Sequence, residues 1–377
     1  MKMEAPAEQP AVATRERLMS LDALRGFDMF WIIGGYWIVQ GLAKGLNNRW
    51  FNEHILAQTE HARWEGFVAW DLIMPLFLFI VGAAMPFSFA KRLEQDDNKA
   101  RLYGHILYRV IILWILGMIA QGRLLDYDLS KLQLYSNTLQ AIAAGYLIAS
   151  LILLNLPLQW QVLVTGGLLM MYWVLLSVVP VPGQGMGQLT EYGNLAFYID
   201  KLILGRFQDG TNPPYTWILS SMTFGATVMI GALAGQLLRS DRTQASKVLI
   251  LLGSGVACIL AGWVWGLIFP VIKHIWTSSM VLYAGGWSLL LLGLFYLAID
   301  VLEYRFLTTF FVVIGMNAIA AYMATHVFDF RQLADIFVGG LAKRTGDWHD
   351  FIRGTAGIAI LWLILYYMYR KRTFIKI

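Results

Sequence analysis

The chain has 377 residues, of which 58% are hydrophobic and only 14% charged, with a mean hydropathy of +0.57. Soluble domains carry roughly 45–50% apolar and about 25% charged residues, so this composition excludes an ordinary soluble globule and points to a surface that mostly meets lipid. The net charge of +5 calls for no nucleic-acid partner, because membrane proteins retain Lys and Arg on the cytoplasmic side, and the lone Cys258 excludes an intrachain disulfide.

Residues 1–19 lack the apolar core of a signal peptide and read as a cytoplasmic N-terminal tail. A hydrocarbon layer of about 30 Å needs about 20 mostly apolar helical residues. On that rule the chain is an all-α polytopic bundle of about ten transmembrane helices. The predicted spans are 24–42, 66–90, 105–122, 137–156, 160–179, 215–238, 248–269, 278–299, 306–327 and 351–369, followed by a tail at 371–377. The spans on either side of residues 156–160 form a tight hairpin. The densest basic clusters alternate onto one side. They are Arg15 and Arg17; Lys91, Arg92, Lys99 and Arg101; Arg239, Arg242 and Lys247; and Arg370, Lys371 and Arg372. That side is read as cytoplasmic, with both termini there.

Three long loops, 43–65, 180–214 and 329–350, fall on the opposite side. Within the second, Leu195, Tyr198, Ile199 and Leu202 recur at helical spacing and predict a short interfacial helix. The third is too polar to be a further span.

Ionisable residues inside membrane segments cost about 2.5–3.5 kcal/mol each on insertion scales, and so suggest function. Asp22, Arg25 and Asp28 are spaced three apart and predict a charge ladder on one helical face. The ladder either stiffens the helix end or presents Arg25 to an anionic ligand. Asp71 lies four residues before Pro75 in an apolar run, as a structural partner or a catalytic group. His61 is a loop histidine suited to proton transfer near neutral pH. Were residues 61–71 one continuous helix, the two groups would stand about 15 Å apart and Asp71 would be a poor partner for His61. Gln140 and Asn317 read as buried amides that line a cavity or join helices. The Gly34-Gly35, Gly82 and Gly285-Gly286 positions read as helix packing contacts. No HExxH, cysteine cluster, GxSxG elbow or P-loop is present, so neither a metal site nor nucleotide chemistry is indicated.

The run Ser20-Leu21-Asp22-Ala23-Leu24-Arg25-Gly26, then His61-Ala62-Arg63-Trp64-Glu65-Gly66 and Asp71-Leu72-Ile73-Met74-Pro75, resembles the heparan-α-glucosaminide N-acetyltransferase family. The likeness continues through Thr138-Leu139-Gln140, Pro270–Thr277 and Gly315-Met316-Asn317. It implies that residues 20–370 form a transmembrane acyltransferase domain. Such a domain moves acetyl from cytosolic acetyl-CoA to the amine of a glucosamine-type sugar on the far side. It further implies His61 as base or acetyl acceptor, with Asp71, ten residues on, as a second catalytic group. Arg25, Lys91, Arg92 and Arg101 are expected to attract the CoA phosphates, Gln140 and Asn317 to donate to the thioester oxygen, and Trp64 and Glu65 to meet the sugar. The family's large luminal domain is absent, and Gly35 and Tyr36 stand near the position of a family asparagine, so a small or cell-envelope amino sugar is the expected acceptor. The same resemblance implies a bacterial inner-membrane location, lipid neighbours and, by analogy, a homodimer. An amino-sugar permease tolerant of His61→Ala and a purely structural subunit are the competing readings.

Overall fold

A computed structural model describes residues 18–95 and 98–375. Arg15, Arg17 and nearly all of the predicted N-terminal tail lie outside the described residues, as do the last two residues of the C-terminal one. In chain order the α-helices are α1 (Met19–Phe30), α2 (Tyr36–Leu46), α3 (Arg49–His54), α4 (Ile73–Gln95), α5 (Lys99–Ala120), α6 (Thr138–Asn155), α7 (Leu158–Val178) and α8 (Leu195–Leu204). They continue with α9 (Ser221–Arg239), α10 (Gln244–Gly266), α11 (Ser278–Tyr296), α12 (Thr308–Met316), α13 (Ala318–Val327), α14 (Phe330–Ala342) and α15 (His349–Arg370). Small polar residues start many of them. Asn98, Asn137, Asn194, Thr243 and Asp329 each accept a backbone N–H of the first turn through the side chain.

The fold is an all-α polytopic membrane bundle. Among the described residues, eight helices are long and apolar enough to cross a membrane, and the pair α12–α13, bent by 72°, makes a ninth. The predicted count of about ten exceeds this because the first span is broken. A π-turn at Trp31–Gly35, with Gly34 at φ 139°, separates α1 from α2. The predicted hairpin is present, with only Leu156 and Pro157 between α6 and α7. The predicted helix of the second long loop is α8, whose Leu202 remains exposed.

The spans form two layers. Helices α4, α6 and α9 are largely buried, whereas α5, α7, α10 and α15 turn apolar residues such as Ile111, Leu163, Leu260 and Leu363 outward. Without water to drive helices together, contact depends on close backbone approach. A Cβ placed on Gly82 would meet the carbonyl of Val228, and one on Gly231 that of Phe79, so α4 and α9 lie backbone to backbone. Gly26 and Gly315 hold α1 against α12 in the same way. A Cβ on Gly286 would likewise meet the carbonyl of Gly255 in α10, so Gly82 and Gly286 are packing contacts as expected, whereas Gly34 instead carries the positive φ of the π-turn. Gly231→Val is expected to cost about 1–3 kcal/mol or more through overpacking, read as a lower melting temperature in detergent. Gly166→Val, where nothing lies within 4 Å, should leave it unchanged.

The charge ladder of α1 ends early. Arg25 pairs with Asp22 at 3.5 Å, but Asp28 is fully buried and neither of its carboxylate oxygens has a hydrogen-bond partner among the described residues. Asp28 lies one turn further into the bundle, beyond the reach of the Arg25–Asp22 pair.

Candidate active site

The segment before α4 is not helical, and this decides the site. From His61 to Val68 the chain runs as an irregular loop, then turns through a short 3-10 segment, Ala69–Leu72, into α4. Pro75 falls in the first turn of α4, where no backbone N–H is needed. The continuous helix that would have held the two groups about 15 Å apart is therefore not formed. The loop folds back, and His61 Nδ1 lies 2.7 Å from Asp71 Oδ1. The Asp71 carboxylate is 1% exposed, and its Oδ2 accepts the N–H groups of Ala62 and Val68, both at 3.2 Å. Those two bonds hold the carboxylate rigid and fix the start of the loop around it.

A second loop closes the site. Gly66 N–H donates to Val271 O at 2.9 Å and Glu65 bridges to Ile272, which dock the His61 loop onto the segment between α10 and α11. That segment is tied by Thr277, whose hydroxyl donates to Pro270 O and accepts from Ile272 N–H. The docking places the ammonium of Lys273 3.4 Å from Asp71 Oδ1 and 3.1 Å from His61 Nδ1. Lys273 is 5% exposed. Reasoning from sequence missed it, although it sits in the run Pro270–Thr277; the only signal was a cation within an otherwise apolar, turn-forming stretch.

Hydrogen positions follow from donors and acceptors. A carboxylate only accepts, so Nδ1 of His61 carries the hydrogen and Lys273 directs its own hydrogens to Asp71. The Nε2 lone pair is thus left for a reactant, and the His61 side chain is 42% exposed. Loss of surrounding water pushes His61 below its ordinary value, against the Asp71 hydrogen bond, with the Lys273 charge acting in the same direction as burial. Burial lowers Lys273 to about 8, opposed by Asp71. The site therefore has a neutral imidazole beside a compensated buried ion pair at neutral pH, a state suited to accepting a proton or an acyl group.

His274 lies beside this group between two rings, Trp64 at 5.4 Å and Tyr215 at 4.3 Å between centroids. Burial and the Lys273 charge lower His274 to about 4. The Trp64 indole N–H donates to Leu189 O at 2.8 Å, and His274 O accepts from Thr216 N–H. This aromatic pile therefore binds the second long loop to the other two segments. Trp64 is half-buried within it, and Glu65 is exposed at its edge.

At the other end of α4 is a cavity of about 1030 Å³. Arg25, Lys91, Arg92, Arg109 and Arg239 line it, and its wall runs along α4 from Arg92 up to Phe77. The 15 residues between them span about 22 Å of helix. Arg109, absent from the sequence expectations, stacks over Tyr146 at 4.6 Å in the middle of α5. Of the expected CoA-binding residues, Arg25, Lys91 and Arg92 are at this cavity and three are not. Arg101 lies in the first turn of α5, outside the lining. Gln140 spends its amide on Ser136 N–H and Leu134 O, closing the turn before α6. Asn317 donates to Thr373 O and accepts from Ile375 N–H, which ties the C-terminal segment to the α12–α13 bend. Each amide thus donates one hydrogen bond and accepts one, both with backbone groups. No group of His, Cys, Asp and Glu arranged for a metal occurs among the described residues.

No protein-family model matches the chain. Among curated proteins, heparan-alpha-glucosaminide N-acetyltransferase of Mus musculus is 25% identical over 374 residues, covering 84% of this chain and 56% of its own length. The protein of the same name from Homo sapiens is 25% identical over 444 residues, covering 99% of this chain and 62% of its own length. The chain spans less than two thirds of the length of either relative. The likeness runs through nearly every helix that builds the two ends of α4, and places this chain in a distant relationship to the heparan-alpha-glucosaminide N-acetyltransferases.

Proposed function

We propose that this chain is a transmembrane acetyltransferase that takes acetyl from CoA at the basic cavity and delivers it to the amine of a glucosamine-type sugar at His61. The observation carrying this reading is the pairing, on one helix, of a cation-lined cavity at one end with the His61–Asp71–Lys273 group at the other. The basic end would face the cytoplasm of a bacterial inner membrane, with both termini on that side.

The phosphates of acetyl-CoA would meet Arg25, Lys91, Arg92, Arg109 and Arg239, and its long flexible arm would follow α4 toward Asp71. At the far end, His61 Nε2 takes a proton from the acceptor amine. The amine nitrogen then bonds to the thioester carbonyl carbon, the C–S bond breaks, and the electron pair leaves on the CoA sulfur. In the two-step variant, Nε2 bonds the acetyl carbon as the C–S bond breaks and the CoA thiolate leaves; the amine nitrogen then bonds that carbon, the C–Nε2 bond breaks, and the freed Nε2 takes the amine proton. Asp71 positions the ring in either case, and Lys273 balances the Asp71 charge. The stacked Trp64, with Glu65 at its edge, offers the acceptor an apolar face and a carboxylate.

Purified protein with radiolabelled acetyl-CoA and glucosamine tests this directly. Label on the sugar is expected, and label retained on protein without acceptor would identify the two-step route. Sugar flux across liposomes with no transfer at all would overturn the reading in favour of a permease. Arg109→Leu is expected to raise KM for acetyl-CoA about tenfold or more, as loss of one charged hydrogen-bonding group costs about 1.5–3 kcal/mol. The KM for sugar should stay within about twofold, and an equal change in both would remove Arg109 from the donor site.

A further inference from the structure

A second pocket, of about 420 Å³, opens on the loop face between α2, the segment 52–60 and the turn before α15. Its polar lining is Gln40, Lys44, Asn47, Asn52, Glu60 and Asp347. We propose that this pocket is a subsite for the sugar ring adjoining the reacting one, and that it selects uncharged or amine-bearing saccharides while turning away acidic ones. This rests on the amino-sugar acceptor reading above and goes beyond it by naming the class of saccharide.

Three features of the pocket support the assignment. The first is continuity with the site. Glu60 in the pocket wall immediately precedes His61, so the two α-carbons are about 3.8 Å apart. Gln58 accepts the N–H of Ala69 at 3.0 Å, which fastens this wall to the turn that carries Asp71. A saccharide with its amine at His61 would thus extend into the pocket. The second is hydrogen-bonding chemistry. Gln40, Asn47 and Asn52 each offer both donors and an acceptor, as ring hydroxyls require. The carbonyl oxygen of Asn52 is shut from water and has no partner among the described residues. A turn of the Asn52 side chain into the pocket on binding would pair that oxygen with a sugar hydroxyl. The volume falls within the roughly 300–1,000 Å³ of small-ligand sites.

The third is charge. Lys44 is the cation of the lining, and Asp350 already engages it at 2.9 Å. Asp350 lies outside the lining and offsets the Lys44 charge, which leaves the carboxylates of Glu60 and Asp347 to set the sign of the wall. A uronate or sulfate ester entering here meets like charge, whereas a protonated amine meets opposite charge. The large cavity at the other end of α4 has the reverse balance, so the two ends differ in the sign of ligand they favour.

The test uses the full chain in detergent and three acceptors: glucosamine, a disaccharide of two glucosamines, and glucosamine linked to a hexuronic acid. Binding is measured by equilibrium dialysis and transfer from radiolabelled acetyl-CoA. The diglucosamine is expected to bind about tenfold more tightly than the uronate disaccharide. Glu60→Gln with Asp347→Asn should shrink that ratio to within about threefold, chiefly by improving the uronate compound. Each single variant, at an exposed position, should give part of the shift. Equal or tighter binding of the uronate disaccharide by the natural chain would overturn the proposal, as would an equal change for all three acceptors in the double variant. Preference in binding without transfer to any acceptor would sustain the subsite and sink the transferase reading. Transfer to glucosamine with no discrimination among disaccharides would do the reverse.

Discussion

His61→Ala is expected to lower acetyl transfer by about 10²- to 10⁴-fold, the usual contribution of a positioned general base, while leaving acetyl-CoA binding intact. The separation follows from geometry, because the cation-lined cavity lies at the opposite end of α4 from the imidazole. Equilibrium binding of labelled acetyl-CoA beside the transfer assay measures both halves. If the variant transfers acetyl at the natural rate, His61 has no chemical role here. Asp71→Asn is a less clean change. It removes the acceptor of the Nδ1 hydrogen and also leaves the Lys273 ammonium buried without its counter-charge. Breaking one side of a buried pair costs roughly 3–5 kcal/mol. Adding Lys273→Met to Asp71→Asn removes both charges together, so melting temperature should recover toward that of the natural chain while transfer stays low. Recovery of transfer in the double variant would show that Asp71 served folding alone.

Lys273→Met alone is expected to move the pH profile of kcat/KM. The natural protein needs His61 neutral, and that imidazole is held below its ordinary value by burial with help from the Lys273 charge. Its activity should therefore rise on a limb below pH 6.5. Without the ammonium, Asp71 acts on His61 unopposed and favours the imidazolium. The acid limb must then move to higher pH, and the rate measured on that limb should fall about tenfold for every pH unit it moves. Using one acceptor for both proteins cancels the titration of the acceptor's own amine. Lys273→Arg should keep the acid limb low, since the charge remains. An unmoved acid limb in Lys273→Met would reduce the residue to a structural tie between loops.

Several features could be read directly from the amino-acid order. Apolar runs of spanning length located every long helix, since a lipid environment leaves the backbone few alternatives to helix. The hairpin at Leu156-Pro157 was marked by the short gap between two apolar runs, and the helix at Leu195–Leu204 by apolar spacing. Arg25 and Arg92 were recognisable as cations at the ends of spans, and they do line the basic cavity. His61 and Asp71 stood out together only through resemblance to a family. Helical spacing argued against their meeting, because it assumed a regular segment where the chain forms a loop.

Packing in three dimensions settled the remainder. Whether two groups ten residues apart touch depends on the path between them, and here that path is fixed by backbone bonds from Asp71 to Ala62 and Val68 and by docking on Val271. Lys273 enters from more than two hundred positions away, a distance over which no local pattern carries information. In one dimension Gln140 and Asn317 read equally as amides lining a cavity or joining helices. Only the fold shows that each donates and accepts a hydrogen bond with backbone groups. Residue order alone was enough for a membrane bundle with basic ends and a reactive-looking histidine. What that histidine faces, and which charges surround it, follows from the loops that the fold brings together, because side-chain chemistry acts through space over a few ångströms.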